Sequence, residues 1–236
     1  MKQIQWSKEE QDIYLRKLDR LFLAHVRGIK KLMNADFIPG VNLKPSSSDG
    51  LNEGDYLEQI PDTKKWVADL FLKVRLNPDS ADAHGNLGAA YGLLGRHEEA
   101  AAAFAEAIRI DPGSSLMHKC LGVAYHRLKR YPEAIEAYNK SLLINPNDAR
   151  THIMLGSLHV LIGQIEESID FFKEAIRLDP YHPNDARFRL ALSYLFTGKR
   201  GSAVDEWKIL KEQNEELAEF LCDTIKKYWE VSLHLK

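Results

Sequence analysis

The sequence is poor in cysteine and almost balanced in charge, and both features exclude classes of protein. Its 236 residues include only two cysteines, Cys120 and Cys222, and these lie in apolar helical sequence without CxxC spacing. Two such cysteines do not make a disulfide framework, so we expect reduced thiols in a cytoplasmic protein. The formal net charge is −2, without the basic excess of a general nucleic-acid binder. We therefore expect no nucleic acid as the main partner.

Long apolar runs and catalytic motifs are also missing. No uninterrupted apolar run reaches about 18 residues, and the N-terminal sequence lacks the apolar core and cleavage site of a secretory signal. The motifs HExxH, GxxxxGK[ST], GxGxxG and GxSxG do not occur. The nearest cluster of metal-ligand types is His118, Cys120 and His126, which point in different directions along one predicted helix. We therefore expect no catalytic residue, no metal site and no cofactor.

A segment of 34 residues recurs along the chain. Two landmarks repeat at this interval, namely the glycines Gly88, Gly122 and Gly156 and the prolines Pro112, Pro146 and Pro180. Independent helices would not keep two landmarks in register. Apolar residues recur between them at helical spacing, and each proline ends a helix. The pattern predicts stacked helix hairpins, each with an apolar face that only a neighbouring hairpin can cover.

The repeat resembles the tetratricopeptide repeat family, whose unit is a 34-residue helix-turn-helix hairpin. Besides the landmarks, the matching positions are leucines before the glycines, small residues in the second helix and aromatic residues in both helices. They are Leu87, Leu121, Leu155, Ala100, Ala134, Tyr91, Tyr125, Phe104, Tyr138 and Phe172. The resemblance covers residues 81 to about 217. It implies an all-α fold, a right-handed superhelical solenoid of antiparallel helix hairpins.

The resemblance divides this region into four repeats, residues 81–114, 115–148, 149–182 and 183–217. In the third, His159 and Ser168 replace the usual aromatic residue and alanine. The fourth diverges further, because Ala191 replaces the glycine and the closing proline is missing, so we expect its second helix to run on longer. Residues 64–80 end like a second helix and are interpreted as a degenerate half-repeat. Residues 218–236 suit a capping helix.

The chain before the repeats has a different character. Residues 1–35 predict an amphipathic basic helix that begins with a capping box at Ser7 and Glu10. Three interpretations of this N-terminal helix are open: packing on the solenoid or pairing with another chain, lying on an anionic membrane surface, and contacting nucleic acid. Residues 36–63 are rich in proline, serine, glycine and aspartate, and predict an acidic flexible linker.

Three histidines, His84, His118 and His152, occupy the same position in successive repeats. A metal site needs ligands that converge on one ion. Equivalent residues of successive repeats are instead spaced out along a solenoid. We therefore interpret the three histidines as packing residues.

The family also implies a peptide-binding groove lined by the first helix of each hairpin. The predicted groove residues, all expected to be exposed, are Asn86, Lys119, Val123, Arg127, Arg150, Ile153, Met154, Ser157, Phe188, Arg189 and Leu192, with Ala89, Cys120 and His126 at neighbouring groove positions. The four cations and five large apolar residues favour an acidic, partly apolar peptide, and the Asn86 amide can both donate and accept. An ordinary solvated face is the alternative interpretation.

These features predict a non-enzymatic adaptor or scaffold that captures an extended or helical segment of another protein. The N-terminal helix or the capping helix would supply a second contact or self-association. The alternative function is a membrane-peripheral assembly factor anchored by the basic N-terminal helix.

Overall fold

The computed structural model describes residues 63–181 and 183–222, and every regular element within these ranges is an α-helix. The helices are α1 Thr63–Leu76, α2 Ala81–Leu93, α3 His97–Ile110, α4 Ser115–Arg127, α5 Tyr131–Ile144, α6 Ala149–Leu161, α7 Ile165–Leu178, α8 Asn184–Phe196 and α9 Arg200–Gln213. A further helix, α10, covers residues 215–222. The predicted N-terminal helix, nearly all of the linker, and residues 223–236 lie outside the described residues.

The helices pack as a linear series. From α1 to α9, each helix packs on the one before it and the one after it. The hairpins α2/α3, α4/α5, α6/α7 and α8/α9 lie within the ranges predicted for the four repeats. The helix α1 packs on α2 through Leu70, Leu87 and Ala90. Packing between sequence neighbours is the mark of a repeat solenoid. The predicted all-α solenoid of helix hairpins is therefore confirmed.

Glycine in the first helix allows an aromatic ring of the second helix to lie against the backbone. A Cβ atom added to Gly122 would lie 2.5 Å from the ring of Tyr138, and one added to Gly156 would lie 2.7 Å from the ring of Phe172. Both rings are completely buried. No larger side chain fits at these positions, which explains why glycine recurs with the period of the repeat.

The turn inside each hairpin requires a left-handed backbone. Gly95, Gly163 and Gly198 have φ angles of 73°, 85° and 75° at this point. In the second repeat the same position is held by Lys129, whose φ is 61°. Glycine adopts this conformation without steric cost, whereas lysine does so with strain.

The three repeat-spaced histidines link each first helix to the loop that precedes it. The Nε2 atoms of His84, His118 and His152 lie 3.0, 3.3 and 3.0 Å from the carbonyl oxygens of Pro78, Pro112 and Pro146. A carbonyl oxygen only accepts, so Nε2 carries the proton and donates. These histidines therefore have a structural role in the loops between hairpins.

The two unusual residues of the third repeat, His159 and Ser168, both interact with neighbouring side chains. His159 stacks on Phe171 with the ring centroids 5.0 Å apart, and its Nδ1 lies 2.8 Å from Oε1 of Gln164. His159 and Gln164 occupy the positions of Tyr91 and Arg96 in the first repeat and of Tyr125 and Arg130 in the second. In those repeats the arginine lies over the tyrosine ring. The buried hydroxyl of Ser168 likewise lies 2.9 Å from that of Ser193 in α8, so its polar group is satisfied.

The second helix of the fourth repeat does not run on. That prediction is wrong, because α9 ends at Gln213 after 14 residues, as long as the other second helices of the repeats. Asn214 adopts an extended backbone there, and its Oδ1 accepts a hydrogen bond from the backbone N–H of Leu217. This side chain starts α10, as an N-cap residue does. The indole Nε1 of Trp207 then donates to the carbonyl of Ala218 at 2.9 Å, which fixes α10 on α9.

Candidate functional site

All eleven predicted groove residues lie on the first helices α2, α4, α6 and α8. We call the face that they mark the first-helix surface. Its exposed members are Asn86, Arg127 and Arg150, and its half-buried members are Lys119, Val123, Ile153, Met154, Ser157 and Arg189. The neighbouring groove positions Ala89, Cys120 and His126 are half-buried as well. The predicted residues therefore differ widely in their access to a ligand.

Two residues predicted to form exposed apolar pockets are instead buried. Phe188 is 9% exposed and Leu192 is 5% exposed. The ring of Phe188 packs against Phe220 of α10, with the centroids 5.6 Å apart. The fourth hairpin is followed by α10, which covers part of the apolar face of its first helix. The predicted exposure of Phe188 and Leu192 is therefore wrong.

Lys119 is engaged in an ion pair with Asp148 of the loop before α6. Its Nζ atom lies 2.7 Å from Asp148 Oδ2, and the two side chains are only 15% and 17% exposed. Asp148 also caps α6, because its Oδ1 accepts from the backbone N–H of Arg150 at 3.1 Å. Thr151 adds a hydroxyl hydrogen bond to Oδ2 at 2.9 Å. The positive charge expected from Lys119 is thus neutralised within the protein.

The environment of Asp148 favours its charged form. Burial opposes ionisation, but the hydrogen bond and the positive charge of Lys119, with the hydrogen bonds from Thr151, outweigh it. Together they hold the pKa of the Asp148 carboxyl below its usual value. The Asp148 carboxylate is therefore ionised near neutral pH.

Arg189 is also engaged within the protein. Its Nε donates to Asp185 Oδ1 at 2.8 Å and its Nη1 donates to Ser157 Oγ at 3.0 Å. The Ser157 hydroxyl in turn donates to the carbonyl of Ile153 at 2.7 Å. The structure thus brings the predicted residues Ser157 and Arg189 together, and Asp185 balances the guanidinium charge.

The remaining cations of the first-helix surface stand at opposite ends of their helices. Arg127 is the last residue of α4 and Arg150 is the second residue of α6. Both are exposed, and neither forms an ion pair with a residue that the structure describes. Two exposed guanidinium groups can each take a carboxylate in a bidentate pair.

Three half-buried apolar side chains belong to the same two helices. Val123 and Met154 pack on the buried cluster that includes Tyr138 and Leu155. Ile153 packs on the cluster of Ile169, Phe172 and Leu190. Each is held in place by a neighbouring hairpin while part of its surface remains accessible. Such preorganised apolar groups bind a ligand at a small cost in side-chain entropy.

The acidic partners of Lys119 and Arg189 were not predicted from the sequence. Asp148 stands directly before a first helix, the usual N-cap position, and Asp185 precedes Arg189 by four residues, a helical ion-pair spacing. Both signals were available, but the reach of Lys119 across 29 residues is a tertiary contact. Leu116 was also missed: it occupies the repeat position of Arg150 and is 44% exposed.

Three further properties of the described residues concern a cysteine thiol, possible metal ligands and the hydrophobicity of the helices. Burial raises the pKa of the Cys120 thiol to about 11, so the thiolate is scarce at neutral pH. Within residues 63–181 and 183–222, no three His, Cys, Asp or Glu side chains are arranged to hold a metal ion. In the same ranges, no helix combines the length and hydrophobicity needed to cross a bilayer.

Comparison with known families agrees with the hairpin geometry. Residues 81–114 and 114–180 match two family models, both described as tetratricopeptide repeat. Residues 81–180 belong to the tetratricopeptide repeat family. No significant match was found among curated protein sequences.

Solved structures share the fold of this tetratricopeptide repeat protein. A crystal structure of MamA is 21% identical, covers 72% of this chain and 99% of its own, and superposes with a TM-score of 0.63. MamA from Desulfovibrio magneticus RS-1, residues 41 to the end, is 17% identical, with coverages of 70% and 97% and a TM-score of 0.61. YrrB, described as a TPR protein with an unusual peptide-binding site, is 19% identical, with coverages of 72% and 88% and a TM-score of 0.59. At these identities the likeness concerns the fold.

Proposed function

We propose that this tetratricopeptide repeat protein is a non-enzymatic adaptor or scaffold whose first-helix surface binds a segment of a partner protein. Proteins of this family act as protein-interaction modules. The observation that carries the proposal is the combination, on α4 and α6, of accessible apolar side chains with two exposed arginines that lack an ion pair among the described residues. A bound segment would cover the apolar groups and supply the missing charges.

The second helices are less suited to be the main binding face. Their exposed sides carry ion pairs between neighbouring turns, such as Arg109 with Glu106, Lys140 with Glu136 and Arg177 with Glu174. Such pairs are satisfied within one helix and remain solvated. A partner would have to desolvate them without supplying better contacts.

The distribution of roles on the first-helix surface follows from these contacts. Val123, Ile153 and Met154 would supply most of the affinity by burying apolar area. Arg127 and Arg150 would select acidic segments and speed association, so binding should weaken with salt. Lys119 and Arg189, already paired with aspartates, would shape the surface rather than bind the ligand's charge.

Site-specific photo-crosslinking in source cells tests the proposal. A benzophenone amino acid placed at Asn86, or at Leu116, which is 44% exposed at the repeat position of Arg150, reports contacts to the first-helix surface. The matched control is Glu136 on α5, which is 67% exposed. We expect one adduct with the same partner protein at Asn86 and at Leu116, and none with that partner at Glu136. Adducts that form equally well at Glu136 would contradict the assignment of the surface.

The partner found in this way allows a quantitative check. Its crosslinked segment, made as a synthetic peptide, is titrated against the wild-type protein, Arg150→Glu and the control Lys140→Glu. Loss of one exposed charge pair should weaken binding about tenfold, which corresponds to about 1.4 kcal/mol. The control, whose charge lies on a second helix, should bind as the wild type does.

A further inference from the structure

We infer that the segment bound by the first-helix surface has an apolar centre and an acidic residue near each end, five or six residues apart. The inference rests on the proposed function and specifies the chemistry of its ligand. It is based on two observations: two of the four cations on the surface are paired within the protein, and the other two are exposed at opposite ends of their helices.

The internal ion pairs decide which cations can take a ligand carboxylate. To bind Lys119, a ligand would have to displace Asp148, whose side chain is only 17% exposed. A half-buried carboxylate without its cation is costly, and Asp148 would also be drawn from its position at the start of α6. Arg189 is similarly held by Asp185 and Ser157. Ligand carboxylates are therefore directed to Arg127 and Arg150.

The repeat sets the distance between these two arginines. The helices α4 and α6 are first helices of successive hairpins, so they run in the same direction. In α6 the equivalent of Arg127 is Leu161 (127 + 34), and Leu161 lies 11 positions after Arg150 (161 − 150). At 1.5 Å per residue, the two charges are separated by roughly 16 Å along the helix axes. An extended peptide spans this distance in about five residues, and a diagonal path adds about one more.

The apolar residues lie between the two charges. Val123 is one turn before Arg127 on α4, and Ile153 and Met154 are one turn after Arg150 on α6. A ligand that reaches from one arginine to the other must therefore cross these three side chains. Charged ligand residues at this point would be desolvated without a partner, whereas apolar residues would be buried favourably.

Selection from a random peptide library tests this inference directly. A phage-displayed library of 12-residue peptides is selected on the full-length protein, on Arg127→Glu and on Arg150→Glu. The control variant is Lys208→Glu, which changes an exposed lysine of α9. Peptides selected by the wild type and by the control should share two acidic positions, five or six residues apart, with apolar residues between them. Each arginine variant should lose the preference at one end only, and the two variants should lose opposite ends.

Binding of the most enriched peptide, measured by fluorescence anisotropy, completes the test. We expect about tenfold weaker binding by either variant, and about tenfold weaker binding when either acidic residue of the peptide is replaced by serine. If a charge-reversal variant changes the helical circular-dichroism spectrum, the milder variant Arg127→Gln or Arg150→Gln is used in its place.

Two negative results are distinguishable. If peptides are selected without an acidic pair, or with a pair that both variants still prefer, the inferred ligand chemistry is wrong, and the crosslinks then decide whether the surface is a binding site. If no peptide is enriched and crosslinkers at Asn86 and Leu116 capture no partner, the proposed function fails together with the inference.

Discussion

Lys119 of α4 forms an ion pair with Asp148, the residue directly before α6, with 2.7 Å between Nζ and Oδ2. The same carboxylate caps the next first helix through the backbone N–H of Arg150. One aspartate thus orders a helix start, connects two hairpins and removes a positive charge from the first-helix surface. The positive charge available to a ligand is therefore smaller than the number of lysine and arginine residues on the first helices suggests.

Asp148→Asn should destabilise the protein in a pH-dependent way. The amide side chain would still cap α6 but would lose the ion pair, so we expect the free energy of unfolding to fall by about 1 kcal/mol at pH 7. The folded-state pKa of Asp148 is lowered, so its contribution is complete above the pKa of the unfolded chain and disappears as pH falls through the folded-state pKa. Urea unfolding of wild type and variant between pH 7 and pH 3 measures this difference.

The control for this experiment is Asp170→Asn. Asp170 is 88% exposed and lies 3.9 Å from Lys173, so its loss should change stability little at any pH. A difference between the wild type and Asp148→Asn that stays constant down to pH 3 would contradict the assigned role of the charge.

Gly122→Ala should destabilise the protein by about 1–3 kcal/mol, the usual cost of overpacking a core. Its new Cβ would lie 2.5 Å from the Tyr138 ring, which is fully buried and cannot swing away. The matched control is Gly92→Ala, where the nearest atom would be 4.0 Å away. The control should be neutral or stabilising by up to about 1 kcal/mol, because alanine favours helix. Thermal unfolding of the two variants, compared with wild type, distinguishes them; equal effects would rule out the packing explanation.

Lys129→Gly should stabilise the protein by about 0.5–1 kcal/mol. The lysine has a φ angle of 61° at a turn where the other three repeats have glycine, and removing its Cβ relieves the strain of the left-handed conformation. The reciprocal change, Gly163→Lys, introduces the same strain and should be destabilising. Chemical denaturation checks both signs, and the interpretation requires them to be opposite.

Cys120 should resist alkylation while the protein is folded. Burial raises the pKa of its thiol from about 9 to about 11, which lowers the thiolate fraction near neutral pH about a hundredfold. The rate with iodoacetamide, followed by mass spectrometry of the Cys120 peptide, should be lower by at least about this factor than in urea-unfolded protein. Equal rates in the two states would show that the thiol is accessible and ionises normally.

The repeat architecture was predictable because it depends on local sequence. Gly122 and Tyr138 are 16 positions apart in every copy of their pattern, as Gly88 is from Phe104 and Gly156 from Phe172. A hairpin brings two residues at this spacing into contact whatever the rest of the sequence is. Because the repeat recurs every 34 residues, the glycine–aromatic pair occurs three times in the sequence. The all-α solenoid therefore follows from short-range contacts.

The properties of the candidate site were only partly predictable. The positions on the first helices came from the repeat pattern, but exposure and free charge depend on side chains from other hairpins. The length of α9 was misjudged for a different, local reason, because Asn214 ends it in place of the missing proline.

The sequence alone determined the order of the helices, the stacking of the hairpins and the face of each first helix that carries the candidate residues, since these depend on periodicity within about 34 residues. Only the tertiary structure decided which of those residues a ligand can use. Lys119 was paired by an aspartate 29 residues away, and Phe188 was covered by Phe220. The reason is physical: a helix period places a side chain on a face, whereas burial and charge neutralisation depend on what packs against that face.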